Sequence, residues 1–274
     1  VFFSLAKCHA FQSRSIQTLL VLIGGRDQQK IQNTLRNAQE KVYLDSLNFP
    51  QAKYRLEEIS VAHEKTCMWV LELPEYQSWM SGGNLVYHGG FFWVKAKPGA
   101  GKSTMMKYPL STAKKDDAQP TLLSFFFHAQ GVDLERLTVG MYRSLLHQIL
   151  SCKEIPFSKK QSCFEIVAQL QNQDGSVTWS LRDLKHMFSS VIRSLADHRL
   201  LLLIDALDEC DIKEIRDMIN FLQQLGSSAN SSRVHLRICL ASRHYPQITI
   251  ERGVELVLEH QHEHRNDMRK YVEA

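Results

Sequence analysis

The six cysteines of this 274-residue chain, Cys8, Cys67, Cys152, Cys163, Cys210 and Cys239, form no C-x-x-C pair and no zinc-ligand spacing. That excludes a disulfide-stapled or zinc-ribbon scaffold and points to a reducing, cytoplasmic compartment. No apolar run is long enough to cross a bilayer: Leu19-Leu20-Val21-Leu22-Ile23 stops at Gly24-Gly25, well short of the roughly 20 residues a span needs. Charge of one sign is also missing. Lys and Arg number 33 against 29 Asp and Glu, for a net charge of +4 without a basic stripe, so neither a membrane nor a nucleic acid is expected as a partner. There is no repeat at solenoid spacing and no low-complexity tract. The starting Met is absent, so the sequence reads as a piece of a longer chain and a missing targeting signal carries no weight.

What is present is ordinary globular material, 44% hydrophobic and 23% charged, enough for a sizeable core. From Gln28 to Leu47 the apolar residues Ile31, Leu35, Ala38, Val42 and Leu44 recur at helical spacing, and Asn48-Phe49-Pro50 ends the pattern. A second helix is predicted over 51–71, with Leu56, Ile59, His63, Cys67 and Val70 on one face. His63 is the polar member of that stripe, and a hydrogen-bonded core histidine is favoured over a contact to a nucleotide base. Pro74 opens a short helix through Trp79, closed by Ser81-Gly82-Gly83.

After about residue 88 the pattern changes to short apolar runs between amphipathic stretches. Strands are predicted over 91–96, 121–127, 199–205, 233–242 and 254–259. Helices are predicted from Ser103 and over 134–152, 181–196, 211–225 and 262–272. Residues 111–120 read as a polar surface loop and 155–179 as a joining segment. Such alternation favours a doubly covered parallel sheet whose ligands bind at the carboxyl ends of the strands. The expected architecture is a helical lead-in, residues 1–88, followed by an α/β domain, residues 89–274, with a five-stranded, mainly parallel sheet.

Two stretches carry chemistry. Lys97-Pro98-Gly99-Ala100-Gly101-Lys102-Ser103-Thr104 follows a strand and precedes a helix. Its small residues let backbone N–H groups converge on a phosphate chain, Lys102 would reach the β and γ phosphates, and Ser103 would hold Mg²⁺. Ala96 stands where the G-x-x-x-x-G-K-[ST] pattern has its first glycine, so backbone strain is expected there, with weakened binding at worst. A purely structural glycine turn is the competing reading. The second stretch is the aliphatic run Leu200 to Ile204, which ends in Asp205-Ala206-Leu207-Asp208-Glu209. Asp205 is placed to hold the water shell of Mg²⁺, and Asp208 and Glu209 to orient or deprotonate an attacking water; a helix cap is the alternative. At the end of a third run, Arg243 is a candidate cation for the γ-phosphate. His260, His262 and His264 read as a solvent-exposed helix start rather than a metal site.

With these motifs in order, the chain resembles the NACHT-type (STAND) P-loop NTPase domains of fungal signal-transduction proteins, the nephrocystin-like N-terminal domain family. The resemblance rests on Arg55-Leu56-Glu57-Glu58-Ile59, Ala62-His63, Thr66-Cys67-Met68-Trp69, the glycine loop, Ser124 to Phe127, Gly140 to Leu146, Leu203 to Cys210 and Ser242 to Pro246. It implies binding of ATP or GTP with Mg²⁺, slow hydrolysis and a nucleotide-dependent switch. It also implies protein partners met through effector and repeat regions outside this sequence, nucleotide-dependent self-association, and roles such as heterokaryon incompatibility. Two departures stand out: Ala96, and His128-Ala129-Gln130-Gly131 where the family often has asparagine and arginine. No lid or winged-helix module follows the fifth strand, so the alternative is an interaction scaffold that has lost turnover. A small-molecule kinase is a more distant possibility, because no acceptor pocket is identifiable.

Overall fold

The computed structural model describes residues 25–62, 66–112, 120–245 and 249–273. Cys8, the run Leu19 to Ile23, His63 and most of the polar loop 111–120 lie outside the described residues. The elements in chain order begin with α1 (Gly25–Leu47), α2 (Tyr54–Glu58), α3 (Trp69–Glu72), α4 (Pro74–Ser81), α5 (Leu85–His88), β1 (Phe91–Lys95) and α6 (Lys102–Thr112). Next come β2 (Thr121–Phe126), α7 (Asp133–Arg136), α8 (Thr138–Ser151), α9 (Phe157–Leu170) and α10 (Leu181–Ser194). The chain closes with β3 (Arg199–Asp205), α11 (Ile212–Ser231), β4 (His235–Ser242), β5 (Val254–Val257) and α12 (His262–Glu273).

The five strands form one sheet in the order β2-β3-β4-β1-β5, and every pairing is parallel. The sheet is thus wholly parallel rather than mainly so. Its strands read as continuous apolar runs because both faces are covered, and the pleat divides each run between two cores. Leu200, Leu202 and Ile204 face one core with Phe91, Trp93 and Ile238, under α1 and α8 to α11. Leu201 and Leu203 face the other with Phe92, Val94, Met105 and Met106, where Ile59, Val70 and Trp79 from the lead-in also pack. The segment before residue 89 therefore contributes to both cores.

Three sequence expectations are corrected. The helix predicted over 51–71 is a 3₁₀ turn, Pro50–Lys53, and then α2, after which Ile59 turns extended. Ile59 and Val70 are nonetheless buried in the same core. Their spacing reported a shared destination and not a shared helix. Cys67 takes a positive φ of 64°, and its N–H donates to the Asp267 carboxylate at 2.8 Å, so it is lost to any helical ladder. The helix predicted over 134–152 breaks at Leu137 into α7 and α8. Glu214 causes the break: it accepts from both the N–H and the hydroxyl of Thr138 at 2.7 Å, starting α8 afresh. Gly140 lets the Leu134 carbonyl sit where a Cβ would be, 1.7 Å from its ideal position. Finally, the joining segment 155–179 contains a helix, α9, that buries Cys163, Phe164 and Val167.

Smaller differences fall at element ends. The third apolar run pairs only from His235, and the fifth strand gives way to a 3₁₀ turn at Leu258–His260. Among the described residues the free thiols are Cys67, Cys152, Cys163, Cys210 and Cys239, and burial pushes those of Cys163 and Cys210 up to about 12. No described helix is long and apolar enough to cross a membrane.

Candidate functional site

The glycine loop leaves β1 at Ala96, which is fully buried. Its N–H donates to the Ser242 carbonyl at 3.3 Å, which extends the β1–β4 pairing by one residue. Ala96 is not among the residues of positive φ, so the strain expected there is absent. A Cβ is tolerated because the chain is still extended at this point. The left-handed turns come later, at Gly99 (φ 75°) and Gly101 (φ 74°). A Cβ at either glycine would meet nothing within 4 Å. Backbone conformation, and not crowding, demands glycine here, and the space in front of the loop is open. Lys102 folds back so that Nζ donates to the carbonyls of Ala96 and Lys97 at 3.0 and 2.9 Å. Burial lowers its pKa, while Asp208 and Asp205 pull it back up.

The strained residue lies instead on the opposite wall. Ala206, directly after β3, has φ 58° and ψ 46°, a left-handed conformation that costs a residue with a Cβ about 1–2 kcal/mol. The turn it makes sets Asp205 at the floor of the cleft, 1% exposed, with neither carboxylate oxygen in a hydrogen bond of good geometry. Burial raises the Asp205 pKa from 3.8 to about 6, against the opposing pull of the nearby Ser103 hydroxyl, the Ala206 N–H and Lys102. Ser103 and Asp205 are about one hundred positions apart in sequence and neighbours here. Between their strands, β4 ends in Ser242 and is followed by Arg243.

Pro98 to Thr104, Asp205, Asp208, Glu209 and Arg243 all line one cleft of about 590 Å³. Every residue singled out in the sequence for phosphate, metal or water chemistry is therefore brought together at the carboxyl end of the sheet. Their partners differ. Asp208 holds Arg243 with both oxygens, accepting from its N–H at 2.8 Å and pairing with Nε at 2.9 Å. Glu209 accepts from the Ala129 N–H at 3.0 Å through one oxygen. The other oxygen lies 3.9 Å from Arg55. The departure at His128-Ala129-Gln130-Gly131 thus leaves a backbone donor in place.

One residue of the cleft and one that steadies its loop were missed in the sequence. Arg55 lines it from the short helix α2. Glu259 accepts from the Lys97 N–H and pairs with His244 at 3.6 Å, steadying the start of the loop. Arg55 opens a stretch that carries the family resemblance but was given no role there, and Glu259 sits in no local pattern that marks a site. On the far side of the loop an adjoining cavity of about 810 Å³ is lined by Gly99, Ala100, Gly101 and Thr104, and by Trp69, His264, Met268 and Tyr271. Asp267 joins its two walls, accepting from the Cys67 N–H and from Trp69 Nε1 at 3.1 Å. His264 lies tilted against Trp69, with ring centroids 6.4 Å apart, and burial lowers its pKa. It therefore belongs to this cavity and not to an exposed helix start. Among the described residues no group of three His, Cys, Asp or Glu is arranged to hold a metal ion.

Residues 65–243 match the family described as nephrocystin 3, N-terminal. The chain belongs to that family. This bears out the resemblance drawn from the motifs. The family segment contains the glycine loop, the acidic turn and Arg243, but leaves out Arg55, Glu259 and α12. The chain is also 27% identical over 183 residues to the vegetative incompatibility protein HET-E-1 of Podospora anserina, a match covering 66% of this chain and 12% of that protein. It thus corresponds to about one eighth of that relative's length.

Proposed function

We propose that this nephrocystin-like domain binds ATP or GTP with Mg²⁺, hydrolyses it slowly, and serves as the nucleotide-dependent switch of a larger cytoplasmic protein. The observation that carries this reading is the convergence of Lys102, Ser103 and a buried Asp205, whose oxygens lack a hydrogen bond of good geometry, in one cleft. A carboxylate kept out of water with only poorly aligned donors beside it costs free energy unless a further positive or protic group reaches it. Asp205 and Ser103 fit a hydrated divalent cation: one is a carboxylate with open lone pairs, the other a hydroxyl beside it. Because no three-ligand cage exists among the described residues, such an ion would be held jointly with phosphate oxygens. When bound, Mg²⁺ supplies charge neutralisation along the phosphates.

The protein's own groups divide the remaining work. N–H groups of residues 99–104 and the α6 N-terminus face the phosphate chain, and Lys102 leaves its loop carbonyls to reach it. The base takes the aromatic cavity beside Trp69 and His264, and Glu209 orients the attacking water from the cleft mouth. Lys102→Ala should lower nucleotide affinity at least a hundredfold by isothermal calorimetry while the melting temperature stays near that of the parent. Equal binding by the two would refute the reading.

A second reading has its own support. Asp208 is occupied by Arg243, and Glu209 is tethered by Ala129, an arrangement suited to a scaffold that binds nucleotide and turns over little. Phosphate release separates the two readings. Turnover that disappears in Glu209→Gln supports the enzyme, and tight binding with release at the buffer rate supports the scaffold. Self-association and contacts with effector or repeat regions belong to the same proposal.

A further inference from the structure

The geometry points to Arg55, outside the family segment, as the residue that recognises the terminal phosphate of the bound nucleotide. This assignment rests on the nucleotide reading above and adds to it which group distinguishes a triphosphate from a diphosphate. The sequence nominates Arg243 for that role, but its backbone N–H and its Nε both engage Asp208. Arg55 is differently placed. Its Nε is buried without an acceptor, and its carboxylate neighbours, Glu58 at 3.7 Å and Glu209 at 3.9 Å, stand beyond hydrogen-bond length. A guanidinium has five donors and no acceptor; that of Arg55 is partly exposed, but its buried Nε–H is left unmatched, which is costly. The ligand that satisfies it must be rich in acceptors and anionic, and a phosphoryl group is both.

Position selects which phosphate. The aromatic cavity shares Gly99, Ala100, Gly101 and Thr104 with the phosphate cleft, whereas Lys102, Ser103 and Arg55 line the cleft and not that cavity. Past Lys102 and Ser103, the wall between the phosphate cleft and an outer cavity of about 620 Å³ that reaches His128 and Gln130 is made by Arg55 together with Asp208, Glu209 and Arg243, the last of these already engaged by Asp208. A phosphate chain that enters from the base side and crosses the loop ends at this wall. Arg55 and Glu209 then flank the terminal group from one side, the guanidinium on its oxygens and the carboxylate facing the space beyond. Because α2 precedes the sheet, nucleotide state would also be felt by the lead-in segment that packs on both cores.

The test measures binding of the β,γ-imido analogues of ATP and GTP, against ADP and GDP, to the full chain with Mg²⁺ by calorimetry. In Arg55→Ala and Arg55→Gln the preference for triphosphate over diphosphate should fall about tenfold or more, with diphosphate affinity held within about twofold. Arg55→Lys should retain part of the preference. An unchanged preference in both neutral variants overturns the assignment, as does equal loss of both ligands in folded protein, or a parent that binds the two alike. Should the alanine variant melt below the assay temperature, the glutamine variant, which keeps a polar and neutral side chain there, decides. Lys102→Ala separates the two levels: loss of both ligands there with no change in Arg55 variants leaves the nucleotide reading standing and removes Arg55 from it. A parent that binds neither ligand removes both.

Discussion

At the amino ends of the strands, buried polar groups are matched one to one. Trp79 Nε1 donates to the Gly90 carbonyl at 2.7 Å. His88 bridges the Gly83 carbonyl and the Gly90 N–H at 2.7 and 3.0 Å. The buried Arg237 donates to the carbonyls of Trp79 and Leu236 at 2.6 and 3.0 Å, the first of these at the C-terminal end of α4, where a cation is favoured. At the carboxyl ends of the same sheet, Asp205 and Arg55 bury polar atoms without partners, and Ala206 holds a left-handed turn. Both ends are built from the same strands. One end is arranged for stability, and the other holds strain and unmatched groups of the kind that a ligand relieves.

Substitutions at the two ends should therefore differ in sign. Trp79→Ala removes a fully buried ring packed 5.2 Å from Phe92 together with its hydrogen bond, and should destabilise the chain by about 3–5 kcal/mol in urea titration. A loss under 1 kcal/mol would erase the contrast. At the other end, Asp205→Asn should stabilise the ligand-free chain at neutral pH. A folded pKa raised from 3.8 to about 6 means that the folded state keeps a proton the unfolded state has already released. Parent stability therefore falls as pH rises through that window, by about 3 kcal/mol in total. The gain from Asn should be near its full size above pH 6 and vanish below pH 4, measured as the difference between the two unfolding curves. An Asn variant less stable than the parent at pH 7 would mean that Asp205 is well solvated and paired. The smallest effect is expected at Ala206. Glycine there should raise stability by about 0.5–1 kcal/mol by relieving φ 58°, whereas valine should lower it. Thermal melts of the two variants, moving in opposite directions, check the backbone strain.

Sequence legibility follows the same divide. The strands and the order of the motifs were readable because a parallel sheet covered on both faces needs unbroken apolar runs, and a phosphate loop needs its glycines at fixed offsets. Leu200 to Asp205 shows both effects: an aliphatic run of the length of a strand, and a carboxylate where it ends. The helix predicted over 51–71 failed because Ile59 and Val70 share a core without sharing a helix, and periodicity reports burial before it reports conformation. The break at Leu137 depends on Glu214, more than seventy positions away, and α9 was hidden in a stretch rich in polar residues, one of which, Lys160, is buried on the carbonyls of Leu150 and Cys152. Strain was expected at Ala96 from a motif template and found at Ala206, since the template records residue types and the turn is set by backbone dihedrals.

Local order along the chain was enough to determine the sheet, its layering and the residues of the phosphate loop and acidic turn, because each of these depends on neighbours a few positions apart. Tertiary packing alone decided that Ser103 meets Asp205, that Asp208 engages Arg243, and that Arg55 arrives at the cleft from the lead-in. Those contacts join segments tens to more than a hundred residues apart, and such distances are fixed by how helices and strands pack rather than by any pattern within one of them.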